Sequence, residues 1–336
     1  MTDVDQSGRR SRLRSVKLHA LVRDHLGHDV DAVPGTFPPG AALTLDGGAW
    51  VLAEDDPARG LGPALAWALR NGATSLDVLA ERDTGGLARR AAGLRFPIEV
   101  WHVDDRTLLP AVAEPLPAPP APSPDHLALV DTILAGGAVP NVEHGVVTGE
   151  VRGLEVCRVV DDLHTGAVRL EVGVGAHDRE AFTIMHGDVP TVDALAGVVT
   201  AVAAHRAPGR TDHPLNRLVP ERLVRWQLEQ DPGALGLAAV RPVEPPVRRP
   251  NVKDRVPCVA VGEHADGRTV VLVCSVGVDL DLVPYALDAR DAAVAATPGV
   301  ERGEVWLVAP PRDLVPVTAE LAGLADQALS LVPFSG

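Results

Sequence analysis

Lysine is nearly absent from this chain: of 31 basic residues, all but Lys17 and Lys253 are arginine. The shortage removes chemistry that depends on an ammonium group at a set spacing, including the Gly-Lys-Ser/Thr phosphate-binding loop. The sequence also lacks a His-Glu-x-x-His zinc motif, a Cys-x-x-Cys pair and a Gly-x-Ser-x-Gly nucleophile elbow. Aromatic residues make up only 3%, so cores must be filled by Val, Leu and Ala. The three cysteines, Cys157, Cys258 and Cys274, are odd in number and not closely paired, which argues against a disulfide framework. Cys157 and Cys274 lie among Val and Leu, where a thiol behaves as a small hydrophobe. Long apolar runs are missing too. Ala194–Ala204 is too short to cross a bilayer, and Met1 to Ser15 is polar, Arg-rich and without the apolar segment of a secretory leader. The expectation is a cytoplasmic protein with no membrane partner.

The chain has 336 residues, 46% of them hydrophobic, which suffices for two or three domains with real cores. Its formal net charge is −14. A surface that acidic repels phosphate backbones over roughly 8–10 Å at physiological salt, so generic nucleic-acid binding is not expected without a local basic patch.

The fold class expected is α/β, with duplicated mixed-sheet units (strand–strand–helix–strand–helix–strand) around a middle αβ segment. The first unit covers residues 1–109. A disordered start to residue 10 leads to a helix over Ser11–Leu26, whose Leu13, Val16, Leu21 and Val22 fall near helical spacing. Ala41–Leu45 and Ala49–Ala53 flank Asp46-Gly47-Gly48, a hairpin signal because Asp and Gly tolerate positive φ. A helix over Leu61–Arg70 is closed by Asn71-Gly72, and strand, helix and strand follow at Ser75–Ala80, Gly86–Gly93 and Ile98–Val103. Residues 110–124 form a Pro-rich linker, expected to be extended. The middle segment, 125–240, opens with a helix over Asp125–Leu134. Strands at Gly145–Val151, Leu154–Val160 and Val168–Val174 follow, the last turn being His164-Thr165-Gly166. Helices are then expected at Asp178–Met185, Val192–His205 and Leu215–Glu229. Residues 241–257 are a Pro-rich, basic connector. The last unit, 258–336, repeats the order of the first, with a hairpin at Ala265-Asp266-Gly267 and elements at Leu282–Ala295, Glu304–Val308, Val317–Leu324 and Ala328–Val332.

A leading helix, a three-stranded meander, then helix and strand resembles the core of the PD-(D/E)XK, or restriction-endonuclease-like, nucleases. Ala49–Glu54 with Gly60–Trp67 looks like that family's third strand and following helix, and Thr269–Gly277 and Val168–Gly175 occupy similar places. The resemblance implies an Asp at one strand end, then an acid and a lysine two residues apart, together holding Mg²⁺ and orienting water. Leu52, Ala53 and Glu54 stand at those positions in the first unit, and Val273, Cys274 and Ser275 in the last. Both ends read as catalytically blank. In the middle segment Glu171 matches the motif acid, with Asp161 or Asp162 before it, but Gly173 stands where lysine belongs.

Three functional readings follow. The first is a non-catalytic scaffold or binding protein, a degenerate nuclease-like module with a protein partner and no cofactor. The second is a metal-dependent phosphodiester or nucleotide hydrolase, with Mg or Mn held by Glu171 and Asp161 or Asp162 and with His177 nearby. The third is an anion or small-molecule site at the junction Gly173–Asp178, where two glycines, Gly173 and Gly175, lead from strand to helix. Asp178 there is also a good N-cap. His144 and His177 read as surface residues or caps. Arg217, Arg222, Arg225, Arg248 and Arg249, with Lys253, make the most basic region and point to an acidic or phosphate-bearing partner. The alternative for them is a solvated helix face paired with Glu221 and Glu229.

Overall fold

A computed structural model describes residues 3–162, 165–185, 191–209, 213–300 and 303–335. The chain is a mixed α/β protein with sheets of six, four and five strands. Two compact units divide it, and both are discontinuous in sequence. One comprises residues 1–116, 278–288 and 314–330; the other comprises 117–277, 289–313 and 331–336. The sequence reading keeps 258–336 as one block, whereas the contacts share it between the two.

The first unit contains α1 (Asp3–Leu26), β1 (Val33–Gly35), β2 (Gly40–Leu45), β3 (Gly48–Ala53), α2 (Leu61–Arg70), β4 (Ser75–Ala80), α3 (Thr84–Ala91), β5 (Ile98–Asp104) and β6 (Thr107–Pro110). The strands lie in chain order. β1, β2 and β3 pair antiparallel, β3, β4 and β5 parallel, and β6 returns antiparallel to β5. Asp46 and Gly47 both take positive φ, which makes the tight β2–β3 turn read from the sequence. Every residue of β3 is buried, as expected of a strand covered on both faces. Leu18, Leu21 and Val22 of α1 pack with Leu43, Trp50 and Leu52 on one side. Helix α1 begins at Asp3, so residues 3–10 are helical and not the disordered tail expected.

Within the same unit, buried ion pairs hold residues 278–288 to α2 and α3. Arg90 donates to Asp288 at 2.6 Å and to Asp281 at 3.1 Å, and Arg89 holds Asp288 with two hydrogen bonds of 2.9 and 3.0 Å. Asp281 also accepts the Gly62 N–H at 3.0 Å. Gly62 is required there, because a Cβ would stand 2.0 Å from the Leu280 carbonyl oxygen. Burial pushes the Asp281 carboxyl up to about 7 against the pull of Arg90.

The second unit starts with α4 (Pro124–Leu127) and α5 (Val130–Ala135), two short helices in place of the single one expected. β7 (Val139–Glu143), β8 (Val146–Val151), β9 (Leu154–Asp161) and β10 (Val168–Val172) form an antiparallel meander. β6 and β7 were not expected from the sequence. Helices α6 (Gly175–Met185), α7 (Thr191–His205) and α8 (Pro220–Gln230) follow. The turn at 164–166 falls partly outside the described residues. The helix expected over 215–229 breaks into a 3₁₀ turn, Pro214–Arg217, and α8. Pro220 explains the break: its ring disfavours helical geometry at Val219, which sits at φ 39° and ψ 54°.

The five-stranded sheet is β11 (Ala239–Val243), β12 (Cys258–Glu263), β13 (Thr269–Cys274), β14 (Val305–Ala309) and β15 (Leu329–Pro333), in that order. Two antiparallel pairings are again followed by a parallel one. Helix α9 (Leu282–Ala296) lies between β13 and β14 in the chain, and α10 (Pro316–Gly323) between β14 and β15. β11 takes in the first residues of the expected connector. Its Pro242 is tolerated because β11 is an edge strand. Cys258 and Cys274 stand directly opposite each other on β12 and β13, both free and buried.

Candidate anion-binding site

Two tight turns and one helix build the site in the second unit. His144 and Gly145 join β7 to β8, and Arg152 and Gly153 join β8 to β9, all four at positive φ. Gly153 is obligatory on two counts. Its φ is +75°, and a Cβ would lie 2.6 Å from the Arg222 carbonyl oxygen. Helix α8 therefore rests directly on this turn, and its arginines reach into the hairpin. Arg222 pairs with Glu143 of β7 and Glu150 of β8. Arg225 lies 3.4 Å from Glu150 and 3.0 Å from Glu229. Asn141 donates to Glu150 at 3.0 Å. Burial works against the charges of Glu143, Arg222 and Arg225, but the opposite charges outweigh it there, whereas at Glu229 burial wins and raises the carboxyl. Glu143 is held below its ordinary range by Arg222 and Arg225, and Arg222 is raised by Glu150 and Glu143.

The start of α8 is fixed by a guanidinium that has no carboxylate partner among the described residues. Arg206, fully buried after α7, donates to the carbonyls of Arg152 (2.9 Å), Leu215 (2.7 Å), Leu218 (2.9 Å) and Val219 (3.1 Å). Burial pulls its pKa down to about 10. The clamp gathers the turn before α8 and holds Val219 in a left-handed conformation that β-branched residues avoid.

A loop closes the other side. Arg249 donates to the Asp254 carbonyl at 2.5 Å and to that of Val256, and pairs with Glu221 on α8. Together these elements enclose a cavity of about 40 Å³ lined by Arg158, Arg222, Arg248 and Arg249 with Asn141 and His144. Two carboxylates, Glu143 and Glu155, also reach it. Glu155 is engaged by Arg158 through two bonds of 2.9 and 2.7 Å and by Arg179 at 2.7 Å. Four lining residues carry a buried polar atom with no hydrogen-bond partner: the nitrogens His144 Nε2, Arg222 Nε and Arg249 Nε, and the acceptor Glu143 Oε1, which faces Arg225 at 3.5 Å. Arg248 is exposed and has no ion-pair partner among the described residues. Comparison with protein families, curated proteins and solved structures finds no match.

Of the five arginines read from the sequence as one basic region, Arg222, Arg248 and Arg249 share this cavity. Arg225 is buried behind it, and Arg217 lines a neighbouring cavity. Arg158, Asn141 and Arg206 were missed. They come from other elements, and no spacing links them to α8.

The acids proposed for a metal fall elsewhere. Register places Asp161 opposite Val168 and Glu171 opposite Arg158, so Asp161 and Glu171 point to opposite faces of the sheet. Asp161 faces His126 at 3.0 Å. Asp162 and Glu171 share a face, but Arg169 bridges them at 3.0 and 2.8 Å. Among the described residues no three His, Cys, Asp or Glu side chains are grouped to hold a metal. At the Gly173–Asp178 junction, Asp178 accepts the Val174 N–H at 2.8 Å, so the helix end is met by its own acid. His177 is exposed.

The first unit holds a different cavity, of about 860 Å³ and mainly apolar, lined by Phe37, Trp67, Leu280 and several prolines, with Arg70 and Glu320 as its charged residues.

Proposed function

We propose that this chain is a non-catalytic binding protein whose arginine-lined cavity in the second unit takes the anionic group of a ligand. The observation that carries this reading is the pair of unsatisfied guanidinium donors. Buried polar atoms are nearly always hydrogen-bonded, yet Arg222 Nε and Arg249 Nε, on two residues that line one cavity, have no partner. Four guanidiniums meet two carboxylates there. Arg222 and Arg249 are already fixed by protein contacts, so a ligand would meet ordered donors and little side-chain entropy would be lost on binding. Arg248, exposed and without an ion-pair partner among the described residues, adds long-range attraction for an anion.

Titration calorimetry with inorganic phosphate tests the reading. Binding should be weakened about tenfold by Arg248→Ala or Arg158→Ala, the loss of one charge-assisted contact of roughly 1.5 kcal/mol. No heat at millimolar phosphate would discard it.

The degenerate nuclease-like interpretation belongs with this proposal. It is supported by the order of helix, antiparallel meander, helix and parallel strand in the first unit, and by the same pairing sequence in β11 to β14. It is also supported by Ala92-Gly93-Leu94 and Ala322-Gly323-Leu324 at matching points after α3 and in α10. Glu54, at the motif position, is occupied by Arg14 at 2.7 Å and Lys17 at 2.8 Å.

The apolar cavity favours a second reading, a small apolar ligand in the first unit, because its volume and lining suit one. A Trp67-dependent fluorescence change on adding a hydrophobic dye, lost in Trp67→Phe, would support it.

A further inference from the structure

We infer that the ligand carries at least two phosphoryl groups, the second held in a cavity beside the first; this rests on the reading of the arginine-lined site given above. The second cavity, about 200 Å³, shares Val219 as a wall with the first. One loop serves both. Arg248 and Arg249 line the first cavity, and Lys253 and Arg255, a few residues on, line the second. Arg217 and Arg312 complete a basic rim. The two acids of the second cavity accept backbone donors: Asp254 takes the Asn251 N–H at 3.0 Å, and Asp313 takes the Gly277 N–H at 2.8 Å and lies 3.8 Å from Arg312. Lys253 is exposed and forms no ion pair among the described residues. Lys253, one of the chain's two lysines, and the exposed Arg248 thus line the two cavities that share this wall, on a protein whose net charge is −14.

The lining chooses the ligand class. No Phe, Tyr or Trp lines either cavity, so the large aromatic platforms on which single-stranded nucleic acid usually stacks are missing, and only His144 and arginine planes could meet a base. The aromatic nearest in sequence to the first cavity, Trp226, lies under the Arg152 guanidinium at 5.3 Å. A phosphoryl group offers three acceptor oxygens and about two charges, against two oxygens and one charge for a carboxylate. The two unpartnered guanidinium N–H groups, of Arg222 and Arg249, with the exposed Arg248 beside them, fit the former. The overall negative charge disfavours a long polyanion but permits a short one. The ligand class is therefore a short chain of phosphoryl groups, as in inorganic polyphosphate, without need of a base.

Inorganic phosphate and tripolyphosphate, titrated into the full chain at matched ionic strength, separate the possibilities. Tripolyphosphate should bind at least about tenfold more tightly, because the second group binds at high effective concentration once the first is seated. Lys253→Ala or Arg312→Ala should reduce tripolyphosphate to the affinity of phosphate while leaving phosphate binding unchanged. Arg248→Ala should weaken both. If phosphate binds but tripolyphosphate binds no better, or Lys253→Ala and Arg312→Ala change nothing, the two-cavity inference fails and the single-site reading stands. If neither anion binds, both fail. Citrate equal to tripolyphosphate would refute the phosphoryl preference, and a thymidine oligonucleotide binding more tightly would refute the argument from missing aromatics.

Discussion

Burying a guanidinium is costly unless its N–H groups are matched, and Arg206 is matched by four backbone carbonyls. Arg206→Met would leave those oxygens facing an alkyl chain. A loss of about 3 kcal/mol is expected, read as a drop in melting temperature, together with weaker phosphate binding because the Val219 turn is released. Asp281 presents the opposite case, a carboxyl whose charged form is disfavoured. With its pKa near 7 in the folded chain against an ordinary 3.8, the native state keeps a proton that the unfolded state releases. Its contribution is therefore full below about pH 4 and is lost as pH rises to about 7. Asp281→Asn should flatten the fall in melting temperature between pH 4 and 7 relative to the parent, and parallel curves would contradict this assignment. Neither role was legible in the sequence. Arg206 lies in a polar loop like many others, and Asp281 follows Asp279 in a short stretch with no distinguishing motif. What decides both is burial, which depends on elements remote in the chain.

Hairpins were the most legible elements, because their signal is local. Asp46-Gly47 announced its turn, and Arg152-Gly153 sits at the break left between two expected strands. The second task of Gly153, making room for the Arg222 backbone, was not visible. Gly153→Ala should cost about 1 kcal/mol from φ alone and more from the clash, and should also weaken phosphate binding by lifting α8 from the hairpin. A melting curve and a titration of the same variant would show both effects together. The cysteines make the converse point. Cys258 and Cys274 are 16 positions apart and seemed unpaired, yet the β12–β13 register sets them side by side. Their mutual hydrogen bond and burial push the Cys274 thiol well above its ordinary range, and burial pushes Cys157 up to about 12. All three should resist a thiol reagent in the native protein and react only on unfolding. Rapid labelling of the folded chain would count against the structure.

Chain order and compactness part company in the whole molecule. The first compact unit is completed by residues 278–288 and 314–330, which bring the acids that satisfy Arg89 and Arg90. A fragment of residues 1–116 should consequently melt well below the full chain and bind a hydrophobic dye, since Leu280 and the partners of α2 and α3 are gone; a fragment as stable as the parent would argue for an independent unit. The α/β class, the positions of most strands and helices, and the scarcity of lysine-dependent motifs followed from composition and periodicity alone, since each depends on neighbours within a few residues. Which arginines share a cavity, which acids are taken by cations, and where the units divide depended on contacts across tens to hundreds of residues. Side-chain charge is written in the chain, but whether that charge is buried, paired or free is set by the elements that close over it.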